Sequence, residues 1–180
     1  MSDNVIIHDD CEFIKYISKE SIKERIVEIS SEINSKYFNK KPFVICVLNG
    51  AVYFTMDLIK HFNFNYKIDF MKIKSYVNMN RGKISSETFN FKKIVNEDII
   101  IIEDIIDSGK TFEFLVKEME LYKFRSLSIV TLLKKKNINK INNKTIDWYG
   151  FEIKDKYVIG YGLDINNLFR NLKDIYIKDE

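Results

Sequence analysis

A chain of 180 residues with a formal net charge of +3 is long enough for one domain with a real core, and too evenly charged to present a basic face to nucleic acid. Its only notably basic stretch is Leu133-Lys134-Lys135-Lys136, with Lys140 and Lys144 beyond, and Cys11 and Cys46 are too isolated for a disulfide framework or a zinc site. The first ten residues carry acids and lack an apolar core, and no segment reaches the apolar length of a membrane span, so the expectation is a single cytoplasmic domain over 1–180 that engages neither membrane nor nucleic acid.

Ser18 is placed to cap a helix whose apolar positions Ile22, Ile26, Ile29, Ile33 and Tyr37 recur at three- and four-residue spacing. Lys40-Lys41-Pro42 breaks it. Residues 43–48 form an unbroken apolar run, the pattern of a strand covered on both faces, which ends at Asn49-Gly50-Ala51 before a second helix over about 52–62. A strand over 66–73 follows. Residues 76–91 are polar, with Arg81-Gly82-Lys83 at their centre, and so long a connection in a compact domain is expected to be functional or mobile. Beyond it come the run Ile99-Ile100-Ile101-Ile102, a helix over 112–124, a strand over 127–133, a loop rich in lysine and asparagine, and the segment 148–164.

Strand and helix alternate throughout, which predicts an α/β fold: an open, largely parallel twisted sheet flanked by helices. Ligands in such sheets bind beyond the carboxyl ends of the strands. Leu48-Asn49-Gly50, the segment 103–111 and Lys134-Lys135 all follow strand ends, so they should meet in one cleft.

The richest chemistry lies where the isoleucine run meets Glu103-Asp104-Ile105-Ile106-Asp107-Ser108-Gly109-Lys110-Thr111. Loop amides at a helix N-terminus hold phosphate well. Carboxylates beside that cradle would repel an anion unless they accept hydroxyl hydrogen bonds or face a metal. Read without any relative, the same residues also describe a plain strand, turn and helix start with surface acids. Lys135 alone reads equally as solvated charge, Tyr157 and Cys46 as core, and His8 and His61 as surface or packing residues.

The stretch resembles the phosphoribosyl diphosphate motif of the type I phosphoribosyltransferases: a hydrophobic run, two acids, two apolar residues, then Asp-[Ser/Thr]-Gly-x-Thr, with every position matched. That resemblance implies ribose hydroxyls on Glu103 and Asp104, the 5′-phosphate on Ser108, Gly109, Lys110 and Thr111, and Asp107 as the general base. Three further segments are similar to the hypoxanthine-guanine members. Leu132-Leu133-Lys134-Lys135 matches the strand-end motif whose lysine, here Lys135, recognises the oxygen on carbon 6 of the purine. Gly150-Phe151-Glu152-Ile153, the segment 156–164 and Phe169-Arg170-Asn171-Leu172 match the terminal signature, which implies that Tyr157 stacks on the purine, the Val158 backbone meets its Watson–Crick edge, Asp164 reaches magnesium through water and Arg170 touches pyrophosphate. Leu48-Asn49-Gly50-Ala51 resembles the pyrophosphate loop, although many members carry Lys or Arg where this chain has Asn49. Ser75-Tyr76 matches the start of a flap that closes over the site.

The likeness runs from about residue 5 to 176. It implies purine salvage: hypoxanthine or guanine with phosphoribosyl diphosphate giving IMP or GMP and pyrophosphate, with Mg2+ near Asp164, Glu103 and Asp104. It further implies a small hood built from the terminal segments and assembly as a homodimer or homotetramer. Two alternatives stay open at this point, a nucleotide-binding regulator on the same fold and an enzyme that prefers xanthine.

Overall fold

The computed structural model describes residues 4–75, 84–86, 89–136, 138, 140–141 and 144–179. The chain opens with an antiparallel hairpin of β1 (Val5–His8) and β2 (Cys11–Ile17). Ser18 then caps α1 (Lys19–Lys36), its Oγ accepting from the Ser21 N–H at 3.2 Å, and the stripe Ile22, Ile26, Ile29 and Ile33 is buried. After β3 (Phe43–Leu48) comes α2 (Val52–Ile59), which ends in a turn at Lys60 and His61 rather than running on to 62. The remaining elements are β4 (Lys67–Ser75), β5 (Ile84–Ser86), β6 (Asp98–Ile106), α3 (Lys110–Glu120), β7 (Ser126–Lys135), β8 (Lys140–Ile141), β9 (Lys144–Thr145), β10 (Trp148–Ile153), β11 (Val158–Ile159) and β12 (Ile175–Lys178).

The central sheet runs β10-β7-β6-β3-β4-β5, with every neighbouring pair parallel except β4 and β5. The isoleucines of β6 show why both faces are covered. Ile100 and Ile102 join the core formed with α1 and α2, while Ile99 and Ile101 join the core that holds Phe112, Leu115, Val116 and Met119 of α3. All four are fully buried, and each such side chain contributes about 1.5–3 kcal/mol relative to exposure. The predicted open parallel sheet is therefore present, and so is the hood: a second, antiparallel sheet of order β1-β2-β12-β11 joins the two ends of the chain.

Several boundaries differ from the sequence expectation. The acids Glu103 and Asp104 lie inside β6, because its neighbour β7 extends to Lys135 and pairs it as far as Ile106↔Lys134. Within 76–91, Ile84–Ser86 forms a strand on β4 and a 3-10 turn begins at Phe91, whereas 76–83 and 87–88 lie outside the described residues. The lysine and asparagine loop contains the small pair β8 and β9. Segment 148–164 is broken at 154–157 into a strand of the main sheet and a strand of the hood.

Candidate active site

At the carboxyl ends of β3, β6 and β7, two adjoining clefts share Asp104, Ile105 and Asp107. One, of about 290 Å³, runs from Leu48 past Glu103 to Ser108 and Gly109. The other, of about 220 Å³, lies between Lys135 and the segment carrying Tyr157, Val158 and Asp164. The three separate sequence motifs thus meet where they were expected to.

The first cleft ends at α3. Gly109 stands at its N-cap with φ 73, a left-handed conformation that side chains resist, and no side chain caps the helix. The Ser108 Oγ lies 3.5 Å from the Lys110 amide, so the first-turn N–H groups are left largely to a ligand. Lys110 and Thr111 open the helix itself.

Glu103 and Asp104 sit side by side in the cleft. Burial first, and the Asp104 carboxylate second, push the Glu103 carboxyl well above the ordinary carboxylate range. Asp104 is oriented by an acceptor bond from the Ile105 N–H at 2.8 Å. It also packs against the turn after β3, where a Cβ on Gly50 would lie 1.5 Å from Asp104 Oδ2. On the other side of that turn, a Cβ on Gly162 would lie 2.0 Å from the Gly50 carbonyl oxygen. Leu48-Asn49-Gly50, whose Leu48–Asn49 peptide bond is cis, is therefore wedged between the acid pair and the hood.

In the second cleft, Lys135 Nζ lies 2.8 Å from Asp107 Oδ1 and 2.5 Å from Asp155 Oδ1. Tyr157 is 50% exposed, so a ring face is open to a ligand, and its hydroxyl donates to the Asp164 carbonyl at 2.7 Å. Val158 is buried in β11. The Asp164 carboxylate takes the Arg170 guanidinium at 2.7 Å on one oxygen and the Asn167 N–H at 2.7 Å on the other. Arg170 also donates to the Gly162 carbonyl at 2.7 Å, so it stands behind the Gly50 turn rather than bare in the cleft. Ser75 is the last residue of β4, and Tyr76 lies outside the described residues.

Asp155 and Gly162 are the site residues that sequence reasoning passed over. Asp155 carries no local signal, because its partner is 20 positions away across a strand. Gly162 had one, a glycine inside the matched terminal segment, but only the close approach to Gly50 gives it meaning. Among the described residues no cluster of three or more His, Cys, Asp or Glu is arranged to hold a metal unaided.

Residues 17–166 match the family model for the phosphoribosyl transferase domain. A hypoxanthine-guanine phosphoribosyltransferase of Bacillus subtilis (strain 168) is 41% identical over 158 residues, 87% of either chain. A hypoxanthine-guanine-xanthine phosphoribosyltransferase of Tritrichomonas foetus is 36% identical over 173 residues, 96% of this chain and 94% of that one. Among solved structures, a hypoxanthine phosphoribosyltransferase from Staphylococcus aureus superimposes with a TM-score of 0.82 at 30% identity, covering 92% of this chain and 90% of its own. With the family model over most of its length, this extent of identity and this superposition, the chain belongs to the phosphoribosyltransferase family, in its hypoxanthine-guanine group.

Proposed function

We propose that this enzyme transfers the 5-phosphoribosyl group of phosphoribosyl diphosphate to hypoxanthine or guanine, giving IMP or GMP and pyrophosphate. One observation carries the reading: the Lys135 ammonium and the Asp107 carboxylate stand together, 2.8 Å apart, where the two clefts join. A donor for a purine carbonyl and an acceptor for a ring-nitrogen proton are thus side by side at the mouth of an anion cleft. An ammonium attracts a 6-oxo group and opposes a 6-amino group.

In this reading the amides of Ser108, Gly109, Lys110 and Thr111 hold the 5′-phosphate, and Glu103 and Asp104 accept from the ribose hydroxyls. The Leu48-Asn49-Gly50 turn receives the diphosphate through its backbone, with Arg170 braced behind it. Tyr157 stacks on the base and the Val158 backbone meets its edge. The bond from ribose carbon 1 to the diphosphate oxygen breaks, the purine nitrogen bonds to that carbon, and its proton passes to Asp107. Ser75 and Tyr76 begin the segment assigned to closure, which would exclude water from the ribosyl centre.

Magnesium fits the acid pair. Glu103 and Asp104 are an oxygen-only donor set, and a cation beside them would relieve the repulsion by Asp104 that helps hold the Glu103 carboxyl above the ordinary range, which suits an ion that keeps much of its water and takes substrate oxygens. Glu103, Asp104 and, through water, Asp164 would hold Mg2+, which when bound neutralises charge on the diphosphate.

The reading includes a cytoplasmic homodimer or homotetramer. Ile68 and Phe70, exposed on β4, supply apolar surface for such contact, and no helix among the described residues is long and apolar enough to cross a membrane. The test is nucleotide formation from radiolabelled hypoxanthine, followed by steady-state rates with guanine, xanthine and adenine. Turnover fastest with the first two bases is expected. Binding of phosphoribosyl diphosphate with no turnover on any base would sink the reading in favour of a regulator, and fastest turnover on xanthine would reassign the substrate.

A further inference from the structure

Beside the base cleft, bonded to its lysine, stands a carboxylate that the proposed chemistry does not use. Asp155, in the segment joining β10 to β11, ion-pairs with Lys135 at 2.5 Å, and its own side chain is 88% exposed while that of Lys135 is 16% exposed. An ammonium has three N–H donors. With Asp107 and Asp155 each engaging it, one donor remains for a purine. Held in the empty pocket by Asp107 alone, at the observed 2.8 Å, the ammonium could reach a purine only by giving up its one anionic partner. The lysine would then be withheld from the base.

We infer that Asp155 is a positioning residue for Lys135: it anchors the ammonium at the base cleft, so that an entering 6-oxopurine draws the lysine from Asp107 to its carbonyl oxygen and leaves Asp107 open to the ring-nitrogen proton. This deepens, and rests on, the phosphoribosyl-transfer reading of the site. Burial by itself disfavours the Lys135 charge, but the bonds to Asp107 and Asp155 outweigh it and set its pKa above the ordinary lysine value, so the anchored group is a cation. Because Asp155 is so exposed, its ion pair adds little to fold stability, and a change there is readable in kinetics.

Asp155→Asn tests this. The KM for hypoxanthine and for guanine should rise about tenfold, the scale of one charge-assisted hydrogen bond. The KM for phosphoribosyl diphosphate and the melting temperature should stay at wild-type values, and Asp155→Glu should restore much of the purine KM. In a Lys135→Ala background, Asp155→Asn should add nothing further, since a residue acting through the lysine has nothing left to position. An unchanged purine KM, full additivity with Lys135→Ala, or a lowered melting temperature with both KM values raised would each overturn the assignment. Wild-type enzyme that makes no nucleotide from either base overturns the function and the positioning role together. Wild-type activity with an indifferent Asp155→Asn overturns the positioning role alone.

Discussion

Glu103 shows what a binding site costs at the scale of one side chain. Its carboxyl is raised by burial and by Asp104, so between the ordinary carboxylate range and its own higher pKa the folded protein keeps a proton that the unfolded chain releases. The stability associated with this group is therefore complete at acid pH and declines as pH rises through that window. Glu103→Gln, neutral at every pH, should melt above the wild type at pH 7, with the gain shrinking as pH falls into the ordinary carboxylate range. Thermal melts across that range check it, and a gain that grows toward acid would refute the sign. Asp107 serves the opposite end of the reaction. Asp107→Asn keeps the size but cannot accept a proton, so turnover should fall about a hundredfold or more while phosphoribosyl diphosphate still binds. Near-normal single-turnover rates would take Asp107 out of the base role. Both residues were legible in the sequence because they sit inside one contiguous motif. Asp155 was not, because its function exists only in its pairing with Lys135 across the cleft.

Whole elements were legible where a local pattern suffices. The isoleucine stripe and Ser18 cap gave α1, and the β-branched run gave the centre of β6. What local pattern could not show is where pairing stops. An acid after four isoleucines looks like a strand end, yet β6 continues to Ile106 because β7 supplies hydrogen-bond partners beside it. Strand β5 was hidden for a similar reason, since three residues in a polar stretch become a strand only against β4. The junction of β6 with α3 is the element boundary most exposed to test. Gly109 holds φ 73 there, and a β-branched residue in that conformation is strained by about 1–3 kcal/mol. Gly109→Val should therefore turn the first-turn amides away from the phosphate and weaken phosphoribosyl diphosphate binding whichever purine is supplied. Calorimetry on a folded variant decides it, and unchanged affinity would contradict the phosphate assignment.

Across the whole molecule, the hood and the main sheet are joined by contacts that no window of sequence contains. Pairs such as Ile17↔Ile175 and Ile14↔Ile177 connect the two ends of the chain, and Lys15 and the Lys19 amide both engage Asp174. The hood packs into the main core through Ile17, Val158, Ile175 and Ile177, and beside that packing a short seam reaches the site. Tyr161, held protonated by burial and by its bond to Asp57, donates to that α2 carboxylate at 2.8 Å, and the neighbouring Gly162 rests on the Gly50 carbonyl. The seam links the proposed diphosphate turn to the segment carrying Tyr157 and Asp164, so a wedge placed there should disturb both clefts at once. Gly162→Ala is that wedge: its φ of +100 is foreign to alanine, and the new methyl would lie 2.0 Å from the Gly50 oxygen, a contact that backbone must move to relieve. The variant should retain the circular dichroism of the wild type, because the buried side chains that join hood and sheet are unchanged, but its KM should rise for phosphoribosyl diphosphate and purine together. That joint rise separates the seam from its neighbours, since Asp155→Asn is expected to move the purine KM alone and Gly109→Val the phosphoribosyl diphosphate affinity alone. A Gly162→Ala enzyme in which only one of the two constants moved would mean that hood and core carry their halves of the site independently.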